Sequence, residues 1–499
     1  SPDGVVESIQ KITEDCFVVG VQWHPEMLSV KYEDSQKVFD EFEKKDIENK
    51  KKDVHIFITN KNKMGLFSII LLGFNGIIGS GIFLLPNKVM AQVGPAAVLV
   101  TLFDALLVIS IAVCFAEVGG MFKKNGGPYV YAKEAFGEFV GFEVGFMKWA
   151  IAIIAWATMT VGFAEALMGL LPKGTFANEN IAKAIIVTII VVLLTLVNLS
   201  GIKTSKILNN IVTTGKLLPL IIFIAVGLFF INGSNFTPFF VPGKNASGQA
   251  MSTGAAIGAA ALTIFYAFTG FESIAVAAED MDNPEKDVPK AILLVIFICS
   301  IFYVLIIGIA IGILGTDLVT AKAPIQEAFQ RIIGNTGKYL VGAGTLVSIG
   351  GINLAASIMT PRSGSALADD GLIPRVIAKK SSKDVPYIAI IITGVITLAL
   401  GLYGSLIGSF AILAAISVVS RFVQYVPTCL SVIVLRKKRP DLKPSFRVPF
   451  GPVIPILAVV VSFWLLYNSD MQKIVIGLGG LGIGADVYFL MKLLNKENA

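Results

Sequence analysis

The sequence predicts an all-α protein that crosses a membrane twelve times, and three observations carry the prediction. The first is composition: of 499 residues, 55% are hydrophobic, 15% are charged, and the mean hydropathy is +0.76. Soluble domains carry about 25% charged residues. The second is a change at Met64, after which apolar runs of spanning length, about 20 residues each, follow one another to the end of the chain. The third is that two of those runs, five apart in order, are interrupted at glycines.

Taken in order, residues 1–63 are polar and charge-rich, and they divide into a piece at 1–45 and a basic linker at 46–63 that includes Lys50, Lys51, Lys52, Lys61 and Lys63. The runs follow at 64–91, 95–120, 139–171, 181–199, 207–231, 252–281, 288–314, 337–368, 385–403, 406–435, 449–468 and 472–494. The first ten form a core at 64–435, and 436–499 holds two further helices and a tail. Runs of this length must be helices, because lipid offers no partner to an exposed backbone amide. The first run is too deep in the chain, too long and too closely followed by others to be a secretory signal.

Lysine and arginine set the orientation. With the N-terminus inside, the inner segments hold 30 of the 41 basic residues and the outer loops hold eight. Both termini are therefore expected in the cytoplasm of a multi-pass cell-membrane protein. The net charge of +6 is mostly this bias, so it does not signal nucleic-acid binding. Four scattered cysteines (Cys16, Cys114, Cys299, Cys429) and two histidines suggest neither a disulfide framework nor a metal site. No cofactor is expected.

The first run contains Gly76-Ile77-Ile78-Gly79-Ser80-Gly81-Ile82-Phe83, and the sixth contains Tyr266-Ala267-Phe268-Thr269-Gly270-Phe271-Glu272. Small residues can serve close helix packing, but an unwound backbone at membrane depth is tolerated where it lines a cavity or is buried in protein. Two breaks five helices apart fit an inverted five-plus-five repeat with a midplane binding site between them. Free amides at the start of a half-helix attract a carboxylate, and free carbonyls at the end of another accept from an ammonium. The pattern suits a zwitterion.

At these residues the sequence resembles the amino acid–polyamine–organocation superfamily of permeases, over nearly all of 64–499. The marks are Gly79-Ser80-Gly81-Ile82-Phe83, Gly127-Pro128-Tyr129, Gly270-Phe271-Glu272-Ser273, and Glu279 through Asn283-Pro284 to Pro289. The resemblance implies a leucine-transporter-type fold with helices 1 and 6 discontinuous, and alternating access. It implies that Ile78, Gly79, Ser80, Gly81 and Ile82 supply amides to a substrate carboxylate. Tyr266, Ala267 and Thr269 would supply carbonyls or a gate, with Tyr266 the substrate-covering aromatic.

Intramembrane charges are functional candidates. Glu143, Lys148, Glu279 and Asp280 lie near run ends, where charges can snorkel. Arg421 is ambiguous, and Asp104, Glu117 and Asp486 read as packing partners or cytoplasmic-end residues. Lys216 lies about ten residues into the fifth run. Burial disfavours a charged amine, so Lys216 can exchange a proton in a transport cycle or act as a fixed ammonium tying helices together. By the resemblance it stands where sodium-coupled relatives bind a cation, which implies transport without sodium, by proton coupling or exchange. Glu272 either faces the cavity and binds a second ammonium, or is neutralised there and leaves the site to neutral substrates.

Residues 1–45, from Asp3-Gly4-Val5-Val6-Glu7 to Gln22-Trp23-His24-Pro25-Glu26, read as short strands followed by a polar helix. They are similar to the carboxyl end of class I glutamine amidotransferase-like peptidases, especially γ-glutamyl-GABA hydrolases. His24 and Glu26 match that family's His-Pro-Glu positions, but the upstream nucleophile elbow is missing. A base without its nucleophile performs no covalent catalysis, so this piece is expected to be an inert remnant or part of a larger fusion, and no catalytic residue is assigned. The leading expectation is a carrier of small neutral L-amino acids such as alanine or serine, with lipid and protons as its other partners. A putrescine or GABA permease is the alternative. A membrane-tethered amidohydrolase fragment and a channel are weaker readings.

Overall fold

A chain that must bury its own backbone in lipid forms helices wherever it is apolar, and the elements follow that rule. The computed structural model describes residues 8–12, 17–21 and 65–499, apart from 123–126, 173, 201–205, 245–247, 277–280, 282, 382–384, 407–409 and 498–499. The chain divides into two units, Ser1–Lys63 and Met64–Ala499. In the first unit, β1 (Ser8–Ile12) pairs antiparallel with β2 (Phe17–Val21), in register from Ser8 opposite Val21 to Ile12 opposite Phe17. Both strands are rich in β-branched residues, which fit a pleated ribbon. The polar helix expected after them, Cys16, His24, Glu26 and the 46–63 linker lie outside the described residues.

In the second unit every expected run holds helix. The first run becomes α1 (Leu66–Ile77), α2 (Ser80–Leu84) and α3 (Pro86–Val93), and the second becomes α4 (Ala97–Gly119). Then come α5 (Pro128–Phe136), α6 (Glu138–Leu170), α7 (Glu179–Leu199) and α8 (Lys206–Gly227). The sixth run becomes α9 (Thr253–Phe265), a 3-10 turn (Tyr266–Phe268) and α10 (Glu272–Val276). The remainder are α11 (Pro284–Leu314), α12 (Pro324–Asp369), α13 (Tyr387–Leu406), α14 (Phe410–Lys438), α15 (Val453–Tyr467) and α16 (Met471–Glu497). Among the described residues, nine helical segments are long and apolar enough to cross a membrane, and the shorter stretches Gly215–Phe230, Thr253–Phe268 and Val453–Tyr467 fall on the fifth, sixth and eleventh runs.

Two features differ from the sequence expectation. Helix α5 was not foreseen, although Pro128 at its first turn, after Gly127 at φ +55°, is a helix-start signature. Helix α12 begins well before the expected 337, and its first turns bend away at Ile333–Gly334, where Gly334 has φ +68°.

Packing follows the repeat. Helix α4 packs chiefly on α11, α6 on α12, and α7 on α13, so runs two, three and four each lie against the run five places later. A repeat of five spans reverses the orientation of its second copy, and such partnering is what that symmetry produces. Helix α16 is peripheral, with only 11% of its apolar window buried, and its apolar residues face lipid.

At the C-terminal end of α4, Glu117 is fully buried and accepts from Arg436 Nε (2.7 Å) and Nη2 (2.6 Å) of α14 and from the Val448 amide (2.5 Å). This two-pronged pair joins α4, α14 and the segment after it. Glu117→Gln should lower stability by about 2 kcal/mol, because a neutral amide cannot accept all three donors that converge on the fully buried carboxylate. The measurement is a thermal melt of purified protein in detergent, and an unchanged midpoint would show that the pair contributes nothing.

Candidate functional site

The two broken helices meet. Gly270, at φ +116° between the Tyr266–Phe268 turn and α10, comes so close to α1 that an added Cβ would lie 2.1 Å from the Gly76 carbonyl oxygen. On the other side of the break, a Cβ on Gly81 would lie 2.7 Å from Ala267 Cα. Only glycine permits this approach, and at Gly270 only glycine adopts the backbone without strain.

Helix α1 ends at Ile77, Gly79 is extended, and α2 begins at Ser80. The first amides of a helix have no partner within it, which leaves those of Gly79, Ser80, Gly81 and Ile82 at the break. Ile78 is a correction to the expected set, because its amide donates to the Phe74 carbonyl at 3.0 Å. The first half-helix runs one residue further than its glycines suggest, and Ile78 offers the break a carbonyl instead. In the sixth run, the Tyr266 carbonyl is also taken, by the Thr269 amide (3.2 Å) and the Thr269 hydroxyl (2.8 Å). The Tyr266 carbonyl is thus engaged within the turn as an acceptor. The end of a helix leaves its last carbonyls without helical partners, which here leaves Ala267 and Phe268; the latter was not singled out. The hydroxyls of Thr269 and Ser273 turn back onto their own backbone.

Tyr266 is buried, its hydroxyl stands 3.5 Å from Ser80 Oγ, and its ring meets Phe410 edge-on at 5.6 Å. Phe410 opens α14, and its amide donates to Glu165 Oε1 (3.3 Å). Tyr266, Phe410 and Ser80 thus close over the break from three helices.

Lys216 of α8 is fully buried. Its Nζ donates to the Asn75 carbonyl (2.8 Å), Asn75 Oδ1 (2.7 Å) and the Ile78 carbonyl (2.9 Å). Ser348 Oγ of α12 also donates to the Ile78 carbonyl (3.4 Å), and the Tyr303 hydroxyl of α11 donates to the Ile77 carbonyl (3.2 Å). The carbonyls at the end of α1 are therefore met by three other helices.

Glu272 opens α10 and is 7% exposed. Its partners lie on the break just before its helix and on α14: Oε1 accepts from Arg421 Nη1 and from Gln424 Nε2 (3.3 Å), and Oε2 accepts from the Tyr425 hydroxyl (3.1 Å) and the Gly270 amide (2.9 Å). The Tyr425 ring is held by Phe115, Phe265 and Phe271. Glu272 is thus an ion-paired acid bound to α14.

Other charges stand apart. Asp104 is fully buried, and among the described residues neither of its oxygens has a hydrogen-bond partner. Glu143 does not snorkel; it is 7% exposed against Gly484. Asp486 is exposed, and Glu279 and Asp280 lie outside the described residues. Sequence reasoning missed Asn75, Tyr303, Phe410, Gln424 and Tyr425. The α14 group carried a readable signal, because residues 421, 424 and 425 share one helical face.

Residues 64–477 match the family described as amino acid permease, and residues 1–26 match peptidase C26. The chain is 32% identical to the branched-chain amino acid permease BcaP of Bacillus subtilis, over 86% of this chain and 93% of that one. It is 30% identical to the serine/threonine exchanger SteT of the same organism, over 87% and 97%. It is 28% identical to the methylthioribose transporter of that organism, over 87% and 95%.

The close approach of the two breaks is testable. Gly270→Ala combines overlap with a left-handed backbone and should cost at least about 3 kcal/mol, so that little monodisperse protein is recovered from detergent. Gly254→Ala, where nothing lies within 4 Å, should raise stability by about 0.5 kcal/mol. Equal melting midpoints for the two variants would refute the contact.

Proposed function

The chain belongs to the amino acid permease family, and we propose that it is a sodium-independent secondary transporter of small neutral L-amino acids, alanine or serine among them. It works by alternating access across the cell membrane, through proton coupling or exchange, with both termini in the cytoplasm. The observation that carries this reading is Lys216 Nζ, held by three oxygens at 2.7–2.9 Å at the end of α1. Three converging oxygens at a helix break are a ready-made site for a monovalent cation. Here an ammonium built into the chain takes it, so the break has no need of sodium.

The substrate is a zwitterion held between the breaks. Its carboxylate meets the amides of Gly79, Ser80, Gly81 and Ile82, where the start of a half-helix concentrates positive potential. Its ammonium meets the carbonyls of Ala267 and Phe268, with Thr269 beside them. Tyr266 is the gate, supported by Phe410 and Ser80. Substrate entry requires Tyr266 to swing away from Ser80, and its return excludes water. Lys216 couples transport to the conformation of α1: protonated, it holds the Asn75 and Ile78 oxygens, and on losing its proton it releases them.

Relatives that transport branched-chain amino acids or exchange serine and threonine support an amino acid cargo, and the exchanger supports exchange. The match of residues 1–26 to peptidase C26 favours one other cargo, a polyamine or GABA, through the γ-glutamyl chemistry of that enzyme class. Transport, not hydrolysis, is the proposed activity, and His24 and Glu26 have no assigned role in it.

Reconstituted into liposomes, the protein should take up radiolabelled alanine or serine saturably, at the same rate in sodium and in choline buffers. Lys216→Met should reduce uptake at least about a hundredfold, about 2.7 kcal/mol in transition-state terms, while remaining foldable. Failure of alanine, serine, threonine and leucine all to compete at millimolar concentration would overturn the cargo. Putrescine or GABA competing instead would establish the alternative.

A further inference from the structure

We propose that Arg421 determines substrate charge: it occupies the Glu272 carboxylate from within and so denies the transport site an acid that could bind a second ammonium. The inference rests on the transport reading above and adds to it the residue that excludes dibasic cargo.

Glu272 is an acid beside the paired breaks. It begins α10, two residues beyond Gly270, whose amide it accepts at 2.9 Å, and Gly270 lies against Gly76. A carboxylate so placed would bind the side-chain ammonium of a diamine or a dibasic amino acid. Its capacity is already used. Arg421 Nη1 and Gln424 Nε2 share Oε1, while the Tyr425 hydroxyl and the Gly270 amide share Oε2.

Arg421 is 6% exposed and Glu272 is 7% exposed, so solvent screens neither charge. Lys148 of α6 also interacts electrostatically with Glu272. Around this one acid stand two cations, and a third brought by a substrate would face them in a medium of low dielectric, where like charges repel strongly. Arg421 Nε has no hydrogen-bond partner among the described residues, and the guanidinium also meets Tyr425, itself a partner of Glu272.

The exclusion is therefore a charge count on one wall. A carboxylate paired with an arginine accepts a neutral side chain at no electrostatic penalty. Removing the arginine leaves a buried acid that a substrate ammonium can satisfy, and the cost of an uncompensated buried charge becomes affinity for dibasic molecules.

The experiment compares dibasic amino acids with uncharged ligands of equal size, by competition binding to the purified full-length protein. L-2,4-diaminobutyrate is paired with L-norvaline, and L-ornithine with L-norleucine. In the wild type each neutral member should bind at least about tenfold more tightly than its dibasic partner. Arg421→Gln should shift both ratios toward the dibasic member by at least about tenfold, and Arg421→Lys should restore them. Glu272→Gln combined with Arg421→Gln should return the wild-type preference.

Gln424→Glu offers a second route that keeps the ion pair. It adds one negative charge beside Oε1 and should shift the ratios in the same direction. A wild type that already binds diaminobutyrate as tightly as norvaline overturns the proposal, as does a folded Arg421→Gln or Gln424→Glu protein with wild-type ratios. If no neutral amino acid binds the wild type at all, the transport reading fails instead, a separate result from norvaline binding with unmoved ratios.

Discussion

Three oxygens of the first spanning helix converge on one ammonium, Lys216 Nζ, and the geometry of the broken helices depends on that contact. A helix that stops in the middle of a bilayer leaves carbonyls that lipid cannot satisfy, each costing several kcal/mol if left alone. Lys216 takes the Asn75 and Ile78 carbonyls, and Tyr303 takes that of Ile77. With those oxygens satisfied, the chain can turn through Gly79 and begin again at Ser80. Without them, continuing the helix through Gly79 would be the cheaper course, and the amides of α2 would be buried in its own ladder.

The sixth run solves the same problem with the opposite sign. Its break is followed by an acid that accepts the Gly270 amide. The acid itself needs a counter-charge in a medium where a lone carboxylate is unaffordable, and Arg421 supplies it from α14. The two breaks thus draw in different helices: a lysine from α8 for the first, and an arginine, a glutamine and a tyrosine from α14 for the second. Both contacts must change if α1 and α10 tilt relative to their neighbours during transport.

Much of this was legible in the sequence, and the part that was not has a physical explanation. The twelve runs, the two glycine breaks and Lys216 could be read because each is a local violation of the rule that membrane segments are apolar and continuous. The partners could not, because pairing across 141 residues, as between Lys216 and Asn75, leaves no local trace. Ile78 and Tyr266 show a different limit. Their side chains and neighbours marked the right place, but which backbone atom was free depended on where a half-helix ended to within one residue. Helix ends are set by hydrogen bonds that composition does not record. Arg421 stood in an apolar run in plain view, and only its spacing to Gln424 and Tyr425 hinted that it served an acid elsewhere.

What the breaks leave unsatisfied is as informative as what they satisfy. On the first, the carbonyl end is filled by a lysine and the amide end is open from Gly79 to Ile82. On the sixth, the acid is filled by an arginine and the carbonyls of Ala267 and Phe268 are open. The built-in charges cancel in one case and replace a cation in the other, so neither break asks its ligand for a net charge. In the proposed mechanism the remaining demand is for one acceptor of the Gly79–Ile82 amides and one donor to the Ala267 and Phe268 carbonyls. Under the proposed function, an α-amino acid with an uncharged side chain meets that demand with its carboxylate and ammonium alone. A diamine lacks the acceptor, and under the same proposal its second ammonium would find the Glu272 carboxylate already held by Arg421.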